Sequence, residues 1–210
     1  MMDGEFLMSE VYLADIGNTH IHIYKDGIIK HYKHQEAIDI YKDDKIYFIS
    51  VKQDLSLPSN WHDISQSLHI DGEYEGMGVD RKALCLSHRN GIFVDAGSAI
   101  TIDVVRDEVY QGGTILLGLS AMQQAYKDIS KALDVELDRQ INLTKLPFTT
   151  KEQISYGIIA PIKSLIEKHK KDLPLYITGG DGRFIASLFD DAIYDESLVF
   201  QGMKKYVKKV

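Results

Sequence analysis

Asp15-Ile16-Gly17-Asn18-Thr19 and, 80 residues further on, Asp95-Ala96-Gly97-Ser98-Ala99-Ile100-Thr101 are the stretches that decide the architecture. Each follows a short apolar run, Val11-Tyr12-Leu13-Ala14 in one case and Ile92-Phe93-Val94 in the other, and each leads into an alternating segment. In both, an Asp ends a buried strand, a Gly permits a tight turn into the next strand, and small hydroxyl or amide residues follow. A Gly at such a turn lets backbone N–H groups approach a phosphate closely, and the Asp can hold the cation that phosphate brings. One such turn alone reads equally well as an ordinary Asp-Gly hairpin. Two with matching strand context point to an ATP phosphotransferase made of two related halves.

The surrounding pattern extends the repeat. Val11 to Ile16, His20 to Tyr24 and Ile28 to Tyr32 alternate as strands, with Lys25-Asp26-Gly27 as a hairpin turn. Helical character over Glu36 to Tyr41 precedes a buried strand, Ile46 to Ser50, and a further strand is expected within Ile64 to Ile70. Residues 55–60 read as a loop or short helical turn, and Arg81 to His88 as a helix. The second half repeats the order, with strands at Ile92 to Asp95, Ala99 to Val105 and Val109 to Ile115, then an amphipathic helix over Leu119 to Leu133. A longer helix is expected from Thr150 or Lys151 to about Lys170, capped by Thr149 or Thr150. A strand at Leu175 to Thr178, a helix over Phe184 to Phe189, a short strand near Ile193-Tyr194 and a closing helix complete it. The pattern predicts an α/β chain of two halves, residues 10–90 and 91–210, with mixed sheets and an inter-domain cleft.

Bulk properties narrow the function. The 210 residues carry a net charge of −7, so a basic face for nucleic acid is not expected, and any anionic substrate needs cations supplied at its site. No apolar run approaches the ~18–20 residues that span a membrane. Met1 to Glu10 carries acidic residues and no basic segment, unlike a secretory leader, and Met8 offers an alternative start. One cysteine, Cys85, excludes an internal disulfide framework and fits a reducing cytoplasm; Ala83-Leu84-Cys85-Leu86 reads as a buried helix face. Lys204 to Lys209 reads as a helix end whose cations favour the dipole.

Gly72-Glu73-Tyr74-Glu75-Gly76-Met77-Gly78-Val79-Asp80-Arg81 is an adaptable loop that delivers an Asp-Arg pair to the start of a helix. Asp80 could accept a proton from a substrate hydroxyl, and Arg81 could bind a carboxylate through two parallel N–H bonds. The same residues could instead cap the helix and face solvent. Gly112, Gly113 and Gly118 could admit a ligand or serve strand–helix packing. Thr178-Gly179-Gly180-Asp181-Gly182 falls where such a fold seats an adenosine. His20 and His22 share one strand face but lack the further ligands a zinc site needs. A Walker lysine motif and a kinase Gly-rich loop are both missing.

Taken together, Asp15 to Thr19, Gly78 to Arg81, Asp95 to Asp103, Gly112-Gly113 with Gly118-Leu119, and Thr178-Gly179-Gly180 resemble the type III pantothenate kinases, in the family's order and over most of the chain. The resemblance implies a duplicated actin-like (ribonuclease H-like) fold and transfer of the γ-phosphoryl of ATP to the primary hydroxyl of pantothenate, the first step to coenzyme A. It places the ATP phosphates on Asp15, Ile16, Gly17, Asn18, Thr19, His20, Ile21 and His22, with Ser98 as an ATP-contacting hydroxyl where the family usually has Thr. It makes Asp80 the catalytic base, with Gly78, Val79 and Arg81 binding pantothenate and Tyr74 beside them. Asp95 becomes the ligand of a monovalent cation, K⁺ or NH₄⁺, alongside Mg²⁺. Thr150 is implied to reach pantothenate from the neighbouring subunit of a homodimer with composite sites. The run Ile158-Ile159-Ala160-Pro161-Ile162, apolar on more than one helix face, points to the same dimer. Other readings of the residues are another actin-like small-molecule kinase and a non-catalytic nucleotide-binding regulator.

Overall fold

The computed structural model describes residues 11–207, so Met8 and the last two lysines of the basic tail lie outside the described residues. The chain forms two units: the described residues through His88 together with those from Glu196 onward, and Arg89–Asp195.

In the first unit β1 (Tyr12–Ile16), β2 (Ile21–Lys25) and β3 (Ile28–Tyr32) form an antiparallel meander, followed by α1 (His34–Tyr41), β4 (Ile46–Ser50), β5 (Trp61–Asp63) and α2 (Val79–Leu86). The sheet order is β3-β2-β1-β4-β5, with β4 parallel to β1 and β5 parallel to β4. Strand alternation sorts the side chains onto two faces. Ala14, Ile16, Ile21 and Ile23 pack with Ala37 and Tyr41 of α1, and with Phe48 and Trp61, in one core. The register pairs Asp15 with His22 and Leu13 with Tyr24 on the opposite face.

The second unit repeats this arrangement. Strands β6 (Gly91–Ala96), β7 (Ala99–Arg106) and β8 (Val109–Leu117) lead to α3 (Leu119–Ile129) and α4 (Thr150–Lys170), then to β9 (Leu175–Thr178), α5 (Gly182–Ala186) and β10 (Ala192–Tyr194). The order β10-β9-β6-β7-β8 is that of the first sheet with corresponding strands in corresponding places. Ile92, Val94, Ile100 and Ile102 share a core with Ile154, Ile158, Ile159, Ile162 and Ile166 of α4.

Three local readings of the sequence are corrected. The fifth strand is Trp61–Asp63, and the Ile64–Ile70 stretch holds a single 3₁₀ turn, Ser65–Ser67. The Asp63 carboxylate accepts the Ser65 N–H at 2.7 Å, which turns the chain out of the ladder. Likewise α3 stops at Ile129 rather than Leu133, because extended Ser130 caps a separate 3₁₀ turn at Lys131–Leu133. The consecutive apolar run of α4 is accounted for inside its own unit, since Ile158, Ile159 and Ile162 are all buried there and Pro161 is exposed. The closing helix α6 (Leu198–Val207) returns to the first unit, a course that a single division at residue 90 does not describe. It packs on α2 so closely that a Cβ at Gly202 would stand 1.8 Å from the Ala83 carbonyl oxygen. Cys85 is buried in α2, as its apolar neighbours imply.

Candidate active site

The first turn joins β1 to β2 through residues 17–20 and is closed by the Gly17 N–H donating to the His20 carbonyl at 3.0 Å. Asn18, Thr19 and His20 are exposed, whereas Ile16 and Ile21 are wholly buried and can offer a ligand only their backbone. His34, at the start of α1, has its Nε2 2.9 Å from the Gly17 carbonyl. A carbonyl only accepts, so His34 carries its proton on Nε2 and ties the turn to α1. No spacing in the sequence signals this contact, because it joins residues 17 positions apart through a loop-to-helix packing.

His22 stands beside Asp15 on one side and His31 on the other in the strand register, with the two Nδ1 atoms 2.5 Å apart. Burial lowers the His22 pKa to about 4; the neighbouring His31 and His20 add to the shift and Glu196 opposes it. The imidazole is therefore neutral at physiological pH. A histidine whose folded pKa lies below its unfolded value of 6.5 takes up its proton more readily when unfolded. Its contribution to stability is complete above pH 6.5 and is lost as pH falls toward 4. That loss is on the order of 2–3 kcal/mol. In urea denaturation at pH 7 and pH 4.5, His22→Gln is expected to shrink the native difference in midpoint; an unchanged difference would show that His22 is not its source.

The loop before α2 converges on one cluster. Arg81 is only 6 % exposed, and its guanidinium donates to the Tyr74 hydroxyl at 2.6 Å. The possibility that Arg81 is a solvated helix residue is thus excluded, and Tyr74, Asp80 and Arg81 come together. Asp80 Oδ1 accepts the Arg81 N–H at 2.8 Å. Glu73 anchors the same loop by accepting from the Ile70 N–H, from Lys82 at 2.9 Å and from His69 at 3.2 Å. Burial pushes its carboxyl up, but these hydrogen bonds prevail and hold it below the usual carboxylate range.

In the second unit the turn at Gly97-Ser98 is shorter, closed by the Gly97 N–H on the Ala99 carbonyl at 3.0 Å. Gly118 seals it: a Cβ there would lie 2.4 Å from the Gly97 carbonyl oxygen, so this glycine serves packing rather than ligand entry. Ser98 is exposed. Asp95 lies between Thr101 of β7 and Thr178 of β9 in register. Gly179, at φ +90°, passes so close that a Cβ would stand 2.4 Å from Asp95 Oδ1. Thr101 Oγ1 is the only buried side-chain oxygen or nitrogen among the described residues without a hydrogen-bond partner. At the start of α4 the capping box is formed by Thr149 with Glu152, and Thr150 is exposed next to it.

A model of the type III pantothenate kinase family matches residues 51–172. A Helicobacter hepaticus type III pantothenate kinase is 42% identical over 202 residues, covering 94% of this chain and 98% of its own. The chain belongs to the type III pantothenate kinase family. It is a kinase, with ATP-dependent phosphorylation of pantothenate as its activity. A solved Campylobacter jejuni structure, assigned to the Baf family of transcriptional activators, is similar with TM-score 0.86 and 35% identity over 94% of this chain and 98% of the other. A Sinorhizobium meliloti structure assigned as a 2-dehydro-3-deoxygalactonokinase, at TM-score 0.58 and 8% identity over 95% and 98% of the two chains, shares the fold alone. The two sheets accordingly form a duplicated, actin-like fold.

Proposed function

We propose that this cytoplasmic kinase activates the primary hydroxyl of pantothenate with Asp80 as general base, while Arg81, Tyr74, Gly78 and Val79 hold the rest of that substrate. The observation that carries the reading is the joining of Tyr74, Asp80 and Arg81 at the head of α2. A buried guanidinium there suits the substrate carboxylate, and a carboxylate beside it suits the reacting hydroxyl. The turn from Asp15 to His22 offers backbone N–H groups and small side chains to the ATP phosphates, and Ser98 offers a hydroxyl.

Among the described residues no cluster of three or more His, Cys, Asp or Glu side chains could hold a metal ion. Mg²⁺ would be held by one carboxylate, a role proposed for Asp15, together with the ATP phosphates. Held there, Mg²⁺ would offset negative charge on the phosphates. A monovalent cation, K⁺ or NH₄⁺, is assigned to Asp95, whose carboxylate offers the hard oxygen donors that an alkali ion takes. No helix among the described residues is long and apolar enough to cross a membrane.

Thr150 completes the pantothenate site of a second subunit in this reading, making a homodimer with composite sites. Support comes from Thr149 acting as the cap, and from Leu146 and Phe148 just upstream, which are 73% and 93% exposed. The expected result is subunit complementation. Mixing inactive Asp80→Asn with an inactive Thr150→Ala chain regenerates activity through heterodimers carrying one intact site. A fully active monomer, or no recovery after verified subunit exchange, would remove the shared site. A regulatory reading is suggested by the assignment of the Campylobacter jejuni relative, but a net charge of −7 does not favour binding to nucleic acid.

A further inference from the structure

We propose that Thr101 is a direct ligand of the monovalent cation assigned to Asp95, its side-chain hydroxyl supplying an oxygen beside the carboxylate. The inference rests on the cation reading of Asp95 and adds a residue to it. Asp95 and Thr101 are opposite one another on antiparallel β6 and β7, and residues so paired project from the same face with Cβ atoms about 5 Å apart. Thr101 is 8% exposed, and its Oγ1 lacks any hydrogen-bond partner among the described residues. Buried hydroxyls are ordinarily partnered, because an unmade hydrogen bond is costly in the interior. An orphan beside a carboxylate therefore points to a ligand that the protein alone does not supply.

The chemistry of the seat selects the ligand. A hydroxyl oxygen is a hard, neutral donor that adds no charge of its own beside the carboxylate, as suits a weakly charged alkali ion. The topologically equivalent seat beside Asp15 in the first unit is filled by His22, whose imidazole nitrogen is a poor donor for an alkali ion. The two halves thus differ at the one position where a second oxygen ligand would matter. On the other side of Asp95, Gly179 brings its backbone against the carboxylate, which fixes the carboxylate relative to the strand pair.

The test is cation binding to the full-length protein, read by thallium NMR with Tl⁺ as the K⁺ surrogate and by the thermal midpoint in KCl against choline chloride at equal ionic strength. The native chain and Thr101→Ser, which keeps the hydroxyl, are expected to bind Tl⁺ and to gain midpoint in KCl. Thr101→Val, close in shape, is expected to fold in choline chloride with at least tenfold weaker Tl⁺ binding and no KCl gain. Thr101→Ala serves the same comparison if the valine variant does not fold. Native-like Tl⁺ affinity in the hydroxyl-free variant would overturn the assignment of Thr101, and if Asp95→Asn loses binding at the same time, Asp95 keeps its role. An absence of Tl⁺ binding and of any KCl effect in the native chain would overturn both assignments.

Discussion

Asp80→Asn is expected to bind ATP as the native kinase does and to turn over roughly a hundredfold or more slowly, the size of effect that follows loss of a positioned base. The substitution separates two roles. Asn retains a side-chain oxygen that can accept the Arg81 N–H, now made by Asp80 Oδ1 at 2.8 Å, so the head of α2 keeps its hydrogen bond. What Asn cannot do is take the proton of the pantothenate hydroxyl. The thermal midpoint should therefore change little, the KM for ATP should hold, and the loss should fall on kcat. Steady-state kinetics together with a melt would check this. Near-native turnover in Asp80→Asn would mean that the hydroxyl loses its proton elsewhere.

The second large effect is expected at Gly179, in stability. At φ +90° an L side chain is strained, and a Cβ would lie 2.4 Å from Asp95 Oδ1 and 2.6 and 2.7 Å from the Ala96 backbone. Backbone at those distances cannot step aside as a flexible side-chain end can. Strain of about 1–2 kcal/mol and overpacking of about 1–3 kcal/mol act together. Gly179→Ala is thus expected to lose about 3 kcal/mol in urea denaturation, and, by displacing Asp95, to weaken the cation binding proposed there. A variant as stable as the native chain would show that the turn relaxes far more easily than this packing allows.

Much of this architecture is legible in the sequence because it rests on local signals. The Asp-Gly turns, the alternation of Ile100, Ile102 and Val104, and the 3.6-residue spacing of Ile154, Ile158 and Ile162 each follow from backbone geometry alone. The fifth strand escapes such reading. It is three residues long, and Trp61 is held by long-range partners, its Nε1 donating to the Tyr41 carbonyl at 3.2 Å. The return of α6 to α2 is equally silent, since no local pattern says which unit a terminal amphipathic helix will cover.

The candidate site divides in the same way. Asp15, Asp80 and Asp95 stand out as residues at strand ends and at a glycine-rich loop. The contact of Arg81 with Tyr74, the anchoring of the β1–β2 turn by His34 and the unpartnered Thr101 hydroxyl depend on three-dimensional packing. The apolar run of α4 shows the reverse case, in which a sequence signal for a partner is met by the core of its own unit.

The most direct measurement follows ATP consumption by the purified chain with Mg²⁺ and K⁺, with and without pantothenate, while phosphorus NMR identifies the product. ADP is expected to form only when pantothenate is present, in step with 4′-phosphopantothenate and in equal amount. Nucleotide binding without any phosphorylated pantothenate, or ADP release indifferent to pantothenate, would contradict the assignment of this chain as a pantothenate kinase.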